Sequence, residues 1–222
     1  MRVAEVLPDY GRGERVGLDE AIFCAGKNAT QLEFILAEAR ERNARLLLTR
    51  LGAEQVGELS AATAAALDYD PLSRTAFLGV AHAGAGEPRV AVLSAGTSDL
   101  APAREAVRTL IWYGEPAVEF HDVGVAGLWR LTERLELIRR HRVVIVAAGM
   151  DAALVSVVGG LVRGSVIGLP TSVGYGVASG GRTALDAMLA SCAPGVAVVN
   201  IDNGYGAACV ALRMLRGIAP PP

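Results

Sequence analysis

Glycine beside a small polar or acidic residue recurs in five segments of the second half of the chain. They are Gly96-Thr97-Ser98-Asp99, Asp122-Val123-Gly124-Val125-Ala126-Gly127, Gly149-Met150-Asp151, Pro170-Thr171-Ser172-Val173-Gly174-Tyr175-Gly176 and Asp202-Asn203-Gly204-Tyr205-Gly206. Glycine lets backbone N–H groups come close to a ligand, and a helix N-terminus adds donors and a partial positive charge that suit phosphate. Taken singly, each segment reads as ordinary capping chemistry. Five of them on one sheet edge favour a site for a nucleotide-like small molecule.

Other chemistry is sparse. No Walker A motif, no G-x-G-x-x-G directly after a strand and no G-x-S-x-G elbow is present. His82, His121 and His141 do not cluster with carboxylates, so no metal site is expected. His141 follows Arg139-Arg140 near a helix end, where a cation suits the dipole. Only His121 stands near the expected site edge. Cys209 lies in an apolar helical stretch and reads as inert packing. Cys24, in Ile22-Phe23-Cys24, reads as packing in the N-terminal part. Cys192 fits inert packing less well, because Pro194-Gly195 bend the chain beside it.

These segments need a frame to hold them. Val90–Leu93, Ala117–Phe120, Val143–Ala147, Val166–Leu169 and Val196–Ile201 read as strands, and helices are expected between and after them. The intervening helices run from Gly96 to Tyr113, after Gly127 to Arg140, from Gly149 and over Arg182–Ser191. Alternation of this kind implies a parallel sheet with right-handed crossovers and helices on both faces. Ligands of such sheets bind outside the carboxyl ends of the strands. The first part reads differently. Residues 1–30 look like a polar loop or arm. Thr30 is expected to cap a helix, with Leu32, Ile35, Leu36 and Ala39 on its apolar stripe. A strand over Arg45–Thr49, a helix over Ala53–Leu67 and a strand over Ala76–Ala81 follow. Ala83–Pro88 reads as a linker. The domains expected are therefore a small α/β unit over 1–87 and a doubly wound domain over 88–222.

Composition narrows the function. The net charge is −2 and no basic surplus points to nucleic acid. Apolar runs are too short to span a membrane, and Met1 to Arg15 lacks the apolar core of a secretory signal. Three cysteines without ligand spacing suggest a reducing cytoplasm. At 52% hydrophobic and a mean hydropathy of +0.37, the chain has apolar surface to spare for a homo-oligomer.

Several stretches together resemble the LarB family, which makes the first intermediate of the nickel-pincer nucleotide cofactor. They are Gly96-Thr-Ser-Asp-Leu100, Asp122-Val-Gly-Val-Ala-Gly127, Ala148-Gly-Met150, Ser156-Val-Val158, Pro170–Gly176 and Ser191-Cys-Ala-Pro-Gly through Asn203-Gly204. The family's catalytic domain is similar to the aminoimidazole ribonucleotide (AIR) carboxylase PurE, which implies a flavodoxin-like sheet and an octamer of packed dimers. The resemblance covers Arg89 to about Leu212 and is weaker at Ile22-Phe23 and Gly26-Lys27.

The resemblance implies carboxylation of the pyridinium ring of nicotinic acid adenine dinucleotide by CO2 or bicarbonate, with hydrolysis of the phosphoanhydride. The products would be pyridinium-3,5-biscarboxylic acid mononucleotide and AMP. It makes Cys192 the nucleophile, and we expect Asp151 beside the reacting ring. Gly96, Thr97, Ser98, Asp99, Asp122, Gly124, Val125, Gly149, Met150, Pro170, Thr171, Ser172, Gly174, Tyr175, Asp202, Asn203 and Gly204 would line the substrate. No firm cofactor follows; Mg2+ could enter with the substrate phosphates, held through water by Asp99 or Asp122. Two positions depart from the family: Asp151 stands where Glu is usual, and Trp129 where His is usual. The alternatives are an AIR carboxylase-like enzyme or paralogue acting on another nucleotide, and a non-catalytic nucleotide-binding protein.

Overall fold

The structure is a computed structural model that describes residues 7–84 and 86–217. Parts of the expected N-terminal arm (residues 1–6) and linker (residue 85) lie outside the described residues. The chain forms two compact units, divided between Ala81 and His82.

In the first unit, the expected arm carries a short helix α1 (Arg12–Val16) and a strand β1 (Ala21–Phe23). Helix α2 (Ala29–Glu41) is capped by Asn28, not Thr30. The Asn28 side chain accepts from the Gln31 N–H at 2.9 Å, and Gln31 Oε1 accepts from the Asn28 N–H at 3.1 Å. This reciprocal pair satisfies two amides and sets the start two residues early. Leu32, Ile35, Leu36 and Ala39 are buried, as their spacing predicts. The helix expected over Ala53–Leu67 is two, α3 (Ala53–Glu58) and α4 (Ala61–Ala65), because Ser60 caps a new start. Leu67 instead opens strand β3 (Leu67–Asp70). With β2 (Leu46–Thr49) and β4 (Thr75–Leu78), the sheet order is β1-β2-β4-β3.

The second unit is a five-stranded parallel sheet in the order β6-β5-β7-β8-β9. The strands are β5 (Val90–Ser94), β6 (Ala117–Phe120), β7 (Val143–Ala148), β8 (Ser165–Pro170) and β9 (Ala197–Val198). This is the flavodoxin-like order. Every residue of β5 and β7 is buried, as a strand covered on both faces requires. On one face Val144, Val146 and Leu93 pack with Leu131, Ile138, Leu154, Val155, Val158, Ala184 and Met188. Those side chains come from α6 (Leu128–Thr132), α7 (Leu135–Ile138), α8 (Ala153–Gly159) and α9 (Arg182–Leu189). Helices α5 (Leu100–Trp112) and α10 (Gly204–Arg216) contact each other and also pack on β7 and β8. Each fully buried Leu, Ile or Val contributes about 1.5–3 kcal/mol.

Two readings need correction. The single helix expected after Gly127 is broken between Thr132 and Leu135, where the Thr132 hydroxyl donates to the Trp129 carbonyl. The last strand has two residues rather than six, since only Ala197 and Val198 pair with β8.

The α5–α10 contact depends on one missing side chain. A Cβ on Gly204 would stand 2.2 Å from the Pro102 carbonyl oxygen and 2.8 Å from the Ala106 nitrogen. Both are backbone and cannot swing aside. Gly204→Ala is therefore expected to lower the urea midpoint by the equivalent of about 1–3 kcal/mol, with the slope unchanged.

Candidate active site

The order of strands fixes where a ligand can enter. The chain leaves β5 for one side of the sheet to form β6, then returns to the other side for β7. Between the carboxyl ends of β5 and β7 the following loops part and leave a crevice. A cleft of about 270 Å³ lies there, lined by Ala95, Gly96, Ser98, Asp99, Gly124, Val125, Ala126, Ala148–Leu154 and Val173. Larger hollows exist in the first unit. The one of about 370 Å³ is lined by Asp9, Asp19, Glu20 and Arg45, without a nucleophile. Its Asp9 and Asp19 are paired with Arg15 and Arg45. Position and chemistry, not size, favour the switch-point cleft.

Asp99 holds this cleft together. It is buried; its Oδ2 accepts from the Gly96 N–H at 2.8 Å and its Oδ1 from the Thr171 hydroxyl at 2.6 Å. The Gly149 N–H also bonds to it. Burial raises its pKa above the ordinary carboxylate value, and these three donors oppose the rise. The loops after β5, β7 and β8 thus meet at one carboxylate. Neighbouring ties add to it. The Met150 N–H donates to the Val173 carbonyl at 2.9 Å, and the Ser172 N–H to Asp202 Oδ1 at 2.8 Å. A Cβ at Gly149 would lie 2.2 Å from the Val173 oxygen, so that close approach requires glycine.

Strain gathers at the same edge. Asp122, Met150, Ala152 and Asp202 all have positive φ, between 51° and 55°. Asp tolerates this conformation through its short polar side chain, whereas at Met150 and Ala152 it costs about 1–2 kcal/mol each. The loop ties over-determine the backbone there, which is what sustains strain at a binding site.

The expected site residues fall in several places along the edge. Gly96, Ser98, Asp99, Gly124, Val125, Gly149, Met150 and Asp151 come together around the cleft. Thr97, Ser172 and Tyr175 are exposed on the same edge. Pro170 and Thr171 are buried, and Gly174 lies between the cleft-lining Val173 and Tyr175. Asp202, Asn203 and Gly204 serve the loop after β9: Asn203 caps α10, accepting from the Gly206 N–H at 2.8 Å, and the Gly204 N–H donates to Glu105 at 3.0 Å. Asp122 pairs with Arg130. Among the described residues no group of three or more His, Cys, Asp or Glu is arranged to hold a metal. The small apolar residues Ala95, Ala126, Ala148, Ala152 and Ala153 also line the cleft, and nothing in their type signals it.

The two residues expected to react lie on different connections, and Cys192 is not among the residues that line the cleft. Asp151 is exposed at the start of α8, where its Oδ1 accepts from the Ala153 N–H at 3.3 Å. Cys192 is exposed on the connection between α9 and β9. That connection leads to the amino end of a parallel strand, away from the cleft edge. Ser191 beside it bonds to Ser156 at 2.8 Å, and a Cβ on Gly159 would meet Ala193 at 2.7 Å. Gly159 closes α8, about 9 Å along its axis from the cleft-side start. Of the other cysteines, Cys24 is buried, and burial pushes its thiol up to about 12, so it is protonated at neutral pH. Cys209 is half-buried within α10.

Comparison with known proteins supplies the context. Residues 2–80 match a family model described as the LarB/PurE-like N-terminal domain, and residues 89–219 match the AIR carboxylase model. An uncharacterized protein of Methanocaldococcus jannaschii, MJ0165, is 49% identical over 121 residues, covering 54% of this chain and 46% of that protein. The chain thus matches about half the length of that curated relative. A crystal structure of a substituted variant of Treponema denticola PurE2 aligns with a TM-score of 0.48 and 22% identity, over 61% of this chain and 83% of that one.

Replacing Asp99 with Ala would leave two amides and a hydroxyl without their common acceptor. The expected cost is about 3 kcal/mol or more, read as a lower urea midpoint of the second unit. Asp99→Asn is expected to recover part of it, because one oxygen survives for the Thr171 hydroxyl. Equal midpoints for Asp99→Ala and the parent would show that the loops do not depend on this carboxylate.

Proposed function

We propose, from the premise that the chain belongs to the LarB family and carries a PurE-like AIR carboxylase domain, that it carboxylates the pyridinium ring of nicotinic acid adenine dinucleotide. In the same reading it hydrolyses the dinucleotide's phosphoanhydride, giving pyridinium-3,5-biscarboxylic acid mononucleotide and AMP. The observation that carries this is the switch-point cleft with Asp151 on its wall.

The chemistry follows from the electron demand of the ring. A pyridinium carbon is electrophilic and cannot attack CO2. Addition of the Cys192 thiolate forms a C–S bond and turns the ring into a dienamine, whose carbon is nucleophilic. That carbon bonds to CO2. The ring proton then leaves to a base, for which Asp151 is the exposed carboxylate on the cleft wall. Its electron pair restores the ring while the C–S bond breaks and the thiolate departs. Water separately cleaves the phosphoanhydride.

Because Cys192 is not among the residues that line the cleft of its own copy, this reading brings Cys192 of one copy to the cleft of another. Exposed apolar residues on the second unit, Leu128, Val177 and Leu189, supply surface for such an assembly. The AIR carboxylase match supports a second reading, carboxylation of a ribonucleotide monophosphate without any thiol.

Incubation with nicotinic acid adenine dinucleotide and labelled bicarbonate is expected to yield a labelled mononucleotide and AMP by mass spectrometry. Intact dinucleotide without label would sink the first reading. Cys192→Ala should abolish turnover, and Asp151→Asn should slow it by about 100-fold or more. Carboxylation of AIR that survives Cys192→Ala would establish the second reading instead. Refolding the two variants together should restore about a quarter of the activity if each cleft takes its thiol from a neighbour. No recovery would place the thiol in its own cleft.

A further inference from the structure

The switch-point cleft of a single copy is small for a dinucleotide. Sites that enclose drug-sized ligands run to about 300–1,000 Å³, and a dinucleotide belongs near the upper end. At about 270 Å³, the cleft of a single copy falls just below that range. On the proposed reading the pyridinium half reacts beside Asp151, so the adenosine half extends over the rim.

An exposed aromatic ring follows the turn that lines the cleft. Trp129 is 62% exposed, an unusual state for so large an apolar ring. It is the second residue of α6, directly after the turn Val125–Gly127, whose Val125 and Ala126 line the cleft. Leu131 of the same helix is fully buried in the core with Val144 and Val146. Positions two apart on a helix differ by about 200°, so anchoring Leu131 inward turns Trp129 outward. Tyr175, 78% exposed, lies on the loop after β8, beyond the cleft-lining Val173. Of the two, Trp129 stands on a helix fixed to the core, and its larger ring covers more of a purine.

We infer that Trp129 is the platform on which the adenine of the substrate stacks, an adenine subsite outside the reacting cleft. The inference rests on the proposed dinucleotide substrate for its choice of base. Every purine presents a π-face, so stacking gives affinity without hydrogen-bond readout.

Fluorescence isolates the ring, because the chain has two tryptophans and Trp112 is fully buried. Titration of the full-length protein with AMP is expected to quench the solvent-exposed emission of Trp129 and to shield it from acrylamide. Trp129→Ala should weaken AMP binding by about 5- to 100-fold, with Trp129→Phe recovering most of it. Nicotinic acid mononucleotide should bind both variants as it binds the parent. Equal AMP affinity in parent and Trp129→Ala would overturn the subsite, as would an absence of AMP binding. Trp129 emission that responds only to protein concentration would overturn it too, showing that another copy covers the ring. Quenching by AMP in a protein that fails to carboxylate the dinucleotide would sustain the subsite while removing the proposed reaction.

Discussion

A single buried carboxylate organises the carboxyl edge of this sheet. Asp99 takes bonds from Gly96, Thr171 and Gly149, and so joins the loops that follow three adjacent strands. Each donor would otherwise lose this acceptor. The carboxylate stays where it is because the donors offset part of its desolvation, and the donors stay because the carboxylate satisfies them. The close approach of Gly149 to Val173 and the positive φ of Met150 and Ala152 depend on that mutual support.

This arrangement changes how the glycine-rich loops work. Their spacing suggests amides presented to a phosphate. In the fold, the Gly96 and Gly149 amides are directed at Asp99 and the Gly204 amide at Glu105. Glycine serves here mainly to let loops approach one another. What the cleft offers a ligand is a small-residue wall, the Ser98 and Asp151 side chains, and the rim.

The doubly wound unit was largely legible in the sequence, for a physical reason. Strands buried on both faces must be mostly apolar runs, and β5, β7 and β8 are such runs. Elements whose identity depends on distant partners were not legible. Strand β3, Leu-Asp-Tyr-Asp, is a strand because β4 lies antiparallel beside it, and its own residues are half polar. The break at Ser60 is reinforced by Glu33, whose carboxylate accepts from the Ser60 N–H at 2.5 Å across 27 positions of sequence. The edge on which Gly96, Gly149 and Asp151 gather could be read, since topology alone sends strand ends there. The place of Cys192 on the connection into the amino end of β9 could be read from the same topology, although the resemblance set it against the ring. The cleft's alanines carried no signal at all.

The two cores share no residues: one gathers Leu32, Leu36 and Leu48, the other Leu93, Val144 and Val155. Each of these clusters therefore has its own packing to keep. A methyl group lost from Leu36 loosens a cluster made of first-unit residues. Inheritance of such a chain is two partly separate histories. Drift in the leading unit is limited by its own packing, while the second unit remains constrained by the loops that converge on Asp99.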